Sequence, residues 1–85
     1  MKVKVRYFAA LRERLGQAAE EIELPAGIST LAGLRSHLIS RGGEWQSALA
    51  ETRLLRMAIN QDMAEANAPV RAGDEVAFFP PVTGG

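Results

Sequence analysis

The amino-terminal segment alternates strictly between polar and apolar side chains, and this alternation constrains the fold more than any other feature of the chain. Within residues 2–8, Val3, Val5 and Tyr7 share one face. The other face carries three cations followed by an aromatic ring, namely Lys2, Lys4, Arg6 and Phe8. A period of two is typical of a strand with one buried face. The chain is therefore predicted to begin with a half-buried strand whose solvent face ends in Phe8.

A short helix and a second strand are predicted next. The segment Ala9–Leu15 has leucines four residues apart and is followed by Gly16, a common residue at helix ends. The sequence Glu21-Ile22-Glu23-Leu24 alternates again, which places its two apolar residues on the inner face of a strand. Pro25-Ala26-Gly27 then breaks the pattern.

The main helix is predicted between a hydroxyl residue that can cap it, Ser29 or Thr30, and a stop at Gly42–Gly43. Its apolar residues recur at intervals of three and four and form one stripe, made of Leu31, Leu34, Leu38 and Ile39. A further short helical segment is predicted around Trp45, which we expect to anchor part of the core.

The second half of the chain predicts two more strands. Residues 54–60 alternate, and Gln61–Asp62 is predicted as a turn. Ala72–Asp74 is predicted as another turn, and Glu75–Phe79 as the last strand, because the two prolines that follow offer no N–H group to a sheet. One main helix with short helical inserts would cover one face of a small mixed sheet, so the fold class is an α+β roll.

Length and composition limit the classes of function. The chain of 85 residues is predicted to be one domain, residues 1–85. Ten Lys+Arg and ten Asp+Glu give a formal net charge of +0, which argues against nucleic acid and anionic membranes as partners. The absence of cysteine excludes a disulfide scaffold, a thiolate metal site and a cysteine nucleophile. The single histidine, His37, excludes a centre built on two histidines, and we expect no metal site.

No targeting or membrane-spanning segment is expected. The alternating amino terminus lacks the apolar core of a signal peptide. The longest charge-free apolar run, residues 76–82, is far shorter than the roughly 20 residues that span a bilayer. A cytoplasmic location is the simplest expectation.

The carboxyl-terminal residues are the chemically distinctive part of the chain. Two prolines stiffen the exit from the last strand, and two terminal glycines give a tip that another protein can approach closely. The six residues are Pro80, Pro81, Val82, Thr83, Gly84 and Gly85. If extended, they reach about 18–20 Å. Residues 80–85 are therefore predicted to form a tail that inserts into a narrow channel of a partner; the alternative is an ordinary frayed terminus.

The only reactive group at the tip of this tail is the α-carboxylate of Gly85, which is ionised at neutral pH. A carboxylate must be activated before a nucleophile can displace its oxygen, for example by transfer to the α-phosphate of ATP. The chain has no glycine-rich phosphate-binding loop. We therefore expect that this chain binds no cofactor and that an activating partner uses the ATP. Without cysteine, any sulfur would be carried on the terminus itself or delivered by other proteins.

Two aromatic residues predict a docking surface at the base of the tail. If Val76 and Phe78 face the core, Phe79 faces outward. A roll of this order usually places its first and last strands side by side and parallel, so Phe8 and Phe79 would close their strands at the same edge. Adjacent exposed rings would form an apolar docking patch; the alternative is that either ring belongs to the core. The stripe of cations on the first strand is predicted to be a solvated face rather than a site for an acidic partner.

The segment from Gly73 to Gly85 resembles the carboxyl terminus of the small subunits of molybdopterin synthase, a family of ubiquitin-like sulfur carriers. Phe8-Ala9, Arg12-Glu13 and Ala58-Ile59-Asn60-Gln61 are also similar to that family. The resemblance covers essentially the whole chain, and the tail motif is its most specific part. It implies a ubiquitin-like β-grasp fold, which agrees with the α+β roll.

The resemblance also implies a function. An activating enzyme would adenylate the Gly85 carboxylate, and a sulfur-delivering enzyme would supply the sulfur that converts it to a thiocarboxylate. The tail would then insert into the large subunit of molybdopterin synthase, within a heterotetramer, and donate sulfur to precursor Z (cyclic pyranopterin monophosphate). Phe8, Arg12 and Phe79 would contact the partner. The residues that bind the pterin, including a catalytic lysine, would belong to the large subunit, so this chain would be a sulfur donor without a complete active site.

Other functions remain open from the sequence. A carrier of this kind could serve thiamine synthesis, tRNA thiolation or cysteine synthesis, although the Phe-Phe-Pro-Pro sequence favours the pterin pathway. A protein modifier would use the same carboxyl activation and differ only in the final nucleophile. A plain interaction module would have an inert tail.

Overall fold

The computed structural model describes residues 1–50 and 52–81. The elements in chain order are β1 (Lys2–Tyr7), α1 (Ala10–Leu15), β2 (Ala19–Glu23), α2 (Leu31–Ile39), α3 (Gly43–Leu49), β3 (Arg56–Ile59), β4 (Asp62–Ala64) and β5 (Glu75–Phe79). Within these residues the strands form one mixed sheet in the order β2-β1-β5-β3-β4. The predicted α+β roll is therefore confirmed.

Strand β1 lies inside the sheet because its alternating side chains suit a strand that is covered on one face. It pairs antiparallel with β2 and parallel with β5. Val3, Val5 and Tyr7 are each no more than 1% exposed. They join one hydrophobic core with side chains of all the helices and of β5, including Leu11, Leu31, Leu34, Leu38, Leu49, Val76 and Phe78. The inner face of the sheet is thus covered by the helices.

Helix α2 begins as the sequence predicts but ends earlier. Thr30 is its N-cap, and the Thr30 hydroxyl accepts a hydrogen bond from the Gly33 N–H at 3.1 Å. The helix ends at Ile39 with Ser40 as its C-cap, so the predicted stop at Gly42–Gly43 is wrong in detail. These glycines open α3 instead: Gly42 is its N-cap with φ 77°, a conformation that favours glycine.

The β3–β4 hairpin corrects the sequence reading of residues 54–62. Strand β3 covers only residues 56–59, and the turn lies at Asn60–Gln61 rather than Gln61–Asp62. Asn60 has φ 50° and Gln61 has φ 72°, which matches the two-residue turn with positive φ at both positions that suits the twist of a hairpin. Asp62 therefore starts a further strand, β4, that the sequence did not predict.

A polar network ties β2 to the helices at the margin of the core. The Tyr7 hydroxyl donates to Glu20 Oε2 at 3.0 Å, and the Arg41 guanidinium donates to both oxygens of the same carboxylate at 3.0 and 2.9 Å. The Arg41 guanidinium carbon lies 4.4 Å from the centroid of the Trp45 ring. Burial, together with the negative charge of Glu20, raises the pKa of the Tyr7 phenol. Tyr7 therefore stays protonated at neutral pH and acts here as a hydrogen-bond donor.

No helix within residues 1–50 and 52–81 is both long and apolar enough to cross a membrane.

Candidate functional site

The parallel pairing of β1 and β5 brings two aromatic rings together where both strands end. Phe8 follows β1, and its N–H donates to the Phe78 carbonyl at 3.3 Å, which extends the ladder by one residue. The rings of Phe8 and Phe79 meet edge to face, with centroids 6.4 Å apart and planes at 88°. Phe8 is 40% exposed, whereas Phe78 is completely buried. We call the surface formed by Phe8, Phe79, Pro80 and Pro81 the tail-exit edge.

This arrangement confirms that the two rings lie side by side at one edge of the sheet, but Phe79 is less exposed than the sequence predicts. Phe79 is partly buried and Phe8 is exposed, so neither ring lies fully in the core. Phe8, Arg12 and Phe79 were predicted to contact a partner, and this role stays a prediction.

Phe8 is held in position by an unusual backbone conformation at the next residue. Ala9 has φ 55° and ψ −132°, a combination that glycine adopts readily and alanine does not. The sharp turn lets the Leu11 N–H donate to the Phe8 carbonyl at 3.2 Å and starts α1 immediately. Leu11 is buried, which anchors α1 to the core. A strained residue directly beside an exposed aromatic ring is typical of functional sites.

Two arginine side chains lie at the tail-exit edge. The Arg6 guanidinium carbon lies 5.2 Å from the centroid of the Phe8 ring, a cation–π contact. Arg56 lies opposite Phe79 in the ladder, so the two side chains share a face. Arg12 is exposed on α1, four residues after Phe8 in the sequence. The edge therefore combines apolar rings with positive charge.

An apolar strip that the sequence did not predict continues from this edge across the outer face of the sheet. In the ladder, Ala77 pairs with Ala58, which pairs with Met63 of β4. Paired residues lie on the same face, and Met63 is 57% exposed. A surface hollow of about 510 Å³ lies beside Met63 and Arg56. Sequence patterns missed Met63 because its position depends on the register of β4.

The cations on the first half of β1 have a simpler role. Lys2 pairs with Glu23, and Lys4 pairs with Glu21, across the β1–β2 ladder. All four side chains are exposed. The prediction of a solvated, charge-balanced face is confirmed.

The base of the tail lies within the structure and its tip does not. Pro80 and Pro81 are partly buried and follow β5 directly. Four residues predicted to belong to the inserting tail, Val82, Thr83, Gly84 and the reactive Gly85, lie outside the described residues. Among residues 1–50 and 52–81, no group of three or more His, Cys, Asp or Glu side chains could hold a metal ion.

Comparison with known proteins places the chain in a family. The model of the ThiS family matches residues 5–85. The molybdopterin synthase sulfur carrier subunit of Escherichia coli (strain K12) is 43% identical over 83 residues, which is 98% of this chain and 99% of that protein.

Two solved structures agree with this match. Molybdopterin converting factor subunit 1 from Pyrococcus furiosus is 31% identical, with a TM-score of 0.79 over 96% of this chain and 99% of that one. A chain in the complex of subunits 1 and 2 of molybdopterin-converting factor from Helicobacter pylori 26695 is 26% identical, with a TM-score of 0.69 over 100% of both chains. The ubiquitin-like β-grasp fold is confirmed by these likenesses. The chain belongs to the ThiS family, and the Escherichia coli protein that it resembles over its full length is a molybdopterin synthase sulfur carrier subunit.

Proposed function

We propose that this chain is the sulfur carrier subunit of molybdopterin synthase. It carries sulfur as a thiocarboxylate on Gly85 and donates that sulfur to precursor Z in the active site of a large subunit. The full-length similarity to sulfur carrier subunits supports the general role. The chemistry at Gly85 is inferred from the tail sequence.

The observation that carries the proposal is the construction of the tail-exit edge. Phe8 and Phe79 meet at the point where Pro80 and Pro81 leave the sheet, so an apolar docking surface surrounds the base of the tail. A partner that binds the rings would receive the tail in a defined direction. Since an aromatic pair near the centre of an interface commonly supplies much of the binding energy, docking there can offset the entropy lost by ordering the tail.

The proposed chemistry begins with activation of the terminus. A carboxylate oxygen of Gly85 attacks the α-phosphorus of ATP, pyrophosphate leaves, and an acyl-adenylate forms in an activating enzyme. A sulfide-equivalent nucleophile, supplied by a sulfur-delivering enzyme, then attacks the acyl carbon, and AMP leaves. The terminus now holds sulfur in place of one oxygen.

The large subunit then receives the loaded tail. The thiocarboxylate sulfur forms a C–S bond to a pterin carbon, whose oxygen substituent leaves, and the terminus is then joined to the pterin as a thioester. Water attacks the Gly85 acyl carbon, the bond from that carbon to sulfur breaks, and the Gly85 carboxylate is restored while the sulfur stays on the pterin. The product, molybdopterin, carries a dithiolene, which contains two sulfur atoms. Because each terminus carries one sulfur atom, each molybdopterin molecule requires two loaded chains or two rounds of loading. The Helicobacter pylori complex of subunits 1 and 2 supports a large subunit as the partner of this chain.

Intact-mass measurement tests the proposal. After incubation with the activating enzyme, ATP and a sulfur source, the chain should exchange one oxygen atom for one sulfur atom. With the large subunit and precursor Z, the loaded chain should then yield the dithiolene product. High-mass amide conjugates instead of sulfur exchange would identify a protein modifier, and an unchanged mass would identify an inert tail.

A truncated chain that lacks Gly84 and Gly85 is the matched control. It should fold normally, because β5 ends at Phe79 and the core is built from earlier residues. It should not accept sulfur. Production of the dithiolene with the truncated chain as the only carrier would refute the proposal.

A further inference from the structure

The primary amines of the chain all lie at one end of the sheet. Lysine occurs only at positions 2 and 4, and the remaining amine is the amino terminus. Lys4 lies opposite Glu75, the first residue of β5, and Lys2 lies two residues earlier on β1. The amino-terminal nitrogen of Met1 lies 2.9 Å from the Glu23 carboxylate, and this ammonium group lowers the pKa of Glu23. Since β1 and β5 run parallel, these amines are at the end opposite the tail-exit edge.

Arginine supplies the cations at the tail-exit edge itself. Eight of the ten basic residues are arginines. Arg56 is exposed and lies opposite Phe79, while Arg6 lies over the Phe8 ring with a side chain 44% exposed. A guanidinium group stays protonated in proteins and is not a nucleophile at neutral pH. A lysine ε-amine can lose its proton and then attack an acyl group.

We propose that the two arginines of this edge, Arg6 and Arg56, provide positive charge for docking while keeping amines away from the activated terminus. The inference rests on the proposed function, because only an activated Gly85 needs this protection. Charge alone would be served equally by lysine, so the property that distinguishes these residues is their lack of nucleophilicity.

The side reaction that they prevent is internal amide formation. A neutral lysine Nζ would attack the carbonyl carbon of Gly85, and a C–N bond would form. The bond from that carbon to the leaving group, which is AMP in the adenylate or a thiol in a thioester, would break, and the amine would release a proton to solvent. The resulting amide could no longer accept or donate sulfur.

The dimensions of the sheet place the natural amines farther from the base of the tail than the arginines of the tail-exit edge. The six residues after Phe79 reach about 18–20 Å when extended, so a lysine opposite Phe79 would be well within range. Lys4 lies four residues back along the ladder, about 13 Å away, and Lys2 lies farther still. To reach Lys4, the terminus would have to turn back along the sheet over about two-thirds of the extended length of the tail, and to reach Lys2 it would need nearly all of that length. Closing the chain onto either amine is therefore less favourable than closing it onto residue 56.

The test uses the full chain with a small-thiol thioester on Gly85, made by cleavage from an intein fusion. This thioester replaces the adenylate and requires no activating enzyme. Arg56→Lys places an amine at the tail-exit edge. Arg71→Lys is the matched control, because Arg71 is exposed and lies before β5, at the end of that strand opposite the tail-exit edge. The backbone N–H of Arg71 donates to the Asp74 carboxylate in the turn there. Both variants keep the charge and add one lysine.

Intact mass at mildly alkaline pH separates the products. The natural chain and Arg71→Lys should hydrolyse to the free acid. Arg56→Lys should give an internal amide one water lighter than the acid, in about tenfold higher yield than Arg71→Lys, since a tether of a few residues produces an effective concentration in the millimolar range. Peptide mapping should locate the amide at residue 56, and Arg6→Lys should behave in the same way.

Equal amide yields from Arg56→Lys and Arg71→Lys would overturn the inference, as would efficient capture by Lys2, Lys4 or the amino terminus in the natural chain. Thermal unfolding of each variant shows that the thioester sits on folded protein. Because the thioester is made without the activating enzyme, failure here is distinct from failure of the sulfur-exchange assay, which tests the proposed function itself.

Discussion

Phe78 and Phe79 are adjacent in the sequence, and replacing each by alanine should damage a different property. Phe78 is completely buried and stacks on Tyr7 with ring centroids 6.4 Å apart. Phe79 points to the other face, where its ring meets that of the exposed Phe8. The same chemical change at neighbouring positions therefore compares the core with the tail-exit edge directly.

The expected magnitudes follow from burial. Truncation of a buried phenylalanine costs about 3–5 kcal/mol, whereas a domain of this size has a total stability of about 4–13 kcal/mol. Phe78→Ala should therefore remove a large part of the free energy of unfolding. Phe79→Ala loses an edge-to-face pair worth about 0.5–1.5 kcal/mol and less buried area than Phe78→Ala, because Phe79 is only partly buried. If Phe79 is central to the interface, its truncation should cost about 2 kcal/mol or more of binding, which is roughly a thirtyfold increase in Kd.

Two measurements separate these effects. Urea unfolding, followed by the fluorescence of the single tryptophan, gives the free energy of unfolding of each variant. Titration calorimetry with the large subunit gives Kd under conditions where both variants are folded. If Phe79→Ala lowers the free energy of unfolding as much as Phe78→Ala does while Kd stays unchanged, Phe79 belongs to the core and the docking argument is wrong.

Three further predictions concern the fold that presents this edge. Ala9→Gly should raise the free energy of unfolding by about 1 kcal/mol in urea titrations, because glycine relieves the positive φ of 55°; a loss of stability would show that the conformation is not strained. Thr30→Ala should lower the free energy of unfolding by about 1 kcal/mol, because it removes the hydroxyl that accepts a hydrogen bond from the Gly33 N–H. Thr30→Ser keeps a hydroxyl and should retain most of that stability. Tyr7 is the only tyrosine, and burial raises its pKa above the usual value of about 10. The Tyr7 phenol therefore contributes fully to stability below pH 10, and this contribution is lost as the pH rises further. Phenolate absorbance should accordingly appear together with alkaline unfolding. Ionisation of Tyr7 in the folded protein would contradict the buried hydrogen bond to Glu20.

The sequence predicts the strands at the two ends of the chain well because each has its own strong pattern. The alternation of residues 2–8 places Val3, Val5 and Tyr7 in the core, and the prolines after Phe79 mark the end of β5. The side-by-side placement of Phe8 and Phe79 then follows from the parallel pairing of β1 and β5, the first and last of these strands in chain order. The prediction thus combines two local sequence patterns with the rule that the first and last strands of such a roll lie side by side and parallel.

Other features depend on contacts that no local pattern records. Strand β4 has three residues without alternation, and it forms because the Asn60–Gln61 turn folds it onto β3. The two hydrogen bonds from the Arg41 guanidinium to the Glu20 carboxylate join residues 21 positions apart, so sequence spacing could not indicate them. The exposed position of Met63 on the outer face follows from the same hairpin. The chemistry of the tail itself was inferred from its residue types and from the family resemblance.

The side-by-side course of β1 and β5 also determines how the protein resists mechanical load. Because the two terminal strands run parallel, traction between the chain ends acts along the strands and loads their ladder in shear. All the hydrogen bonds between β1 and β5 then share the force at once, whereas an antiparallel hairpin pulled from its open end would unzip one bond at a time. A partner that holds the tail and pulls on it would therefore meet a stiff attachment, and β5 would stay paired with β1 under that load.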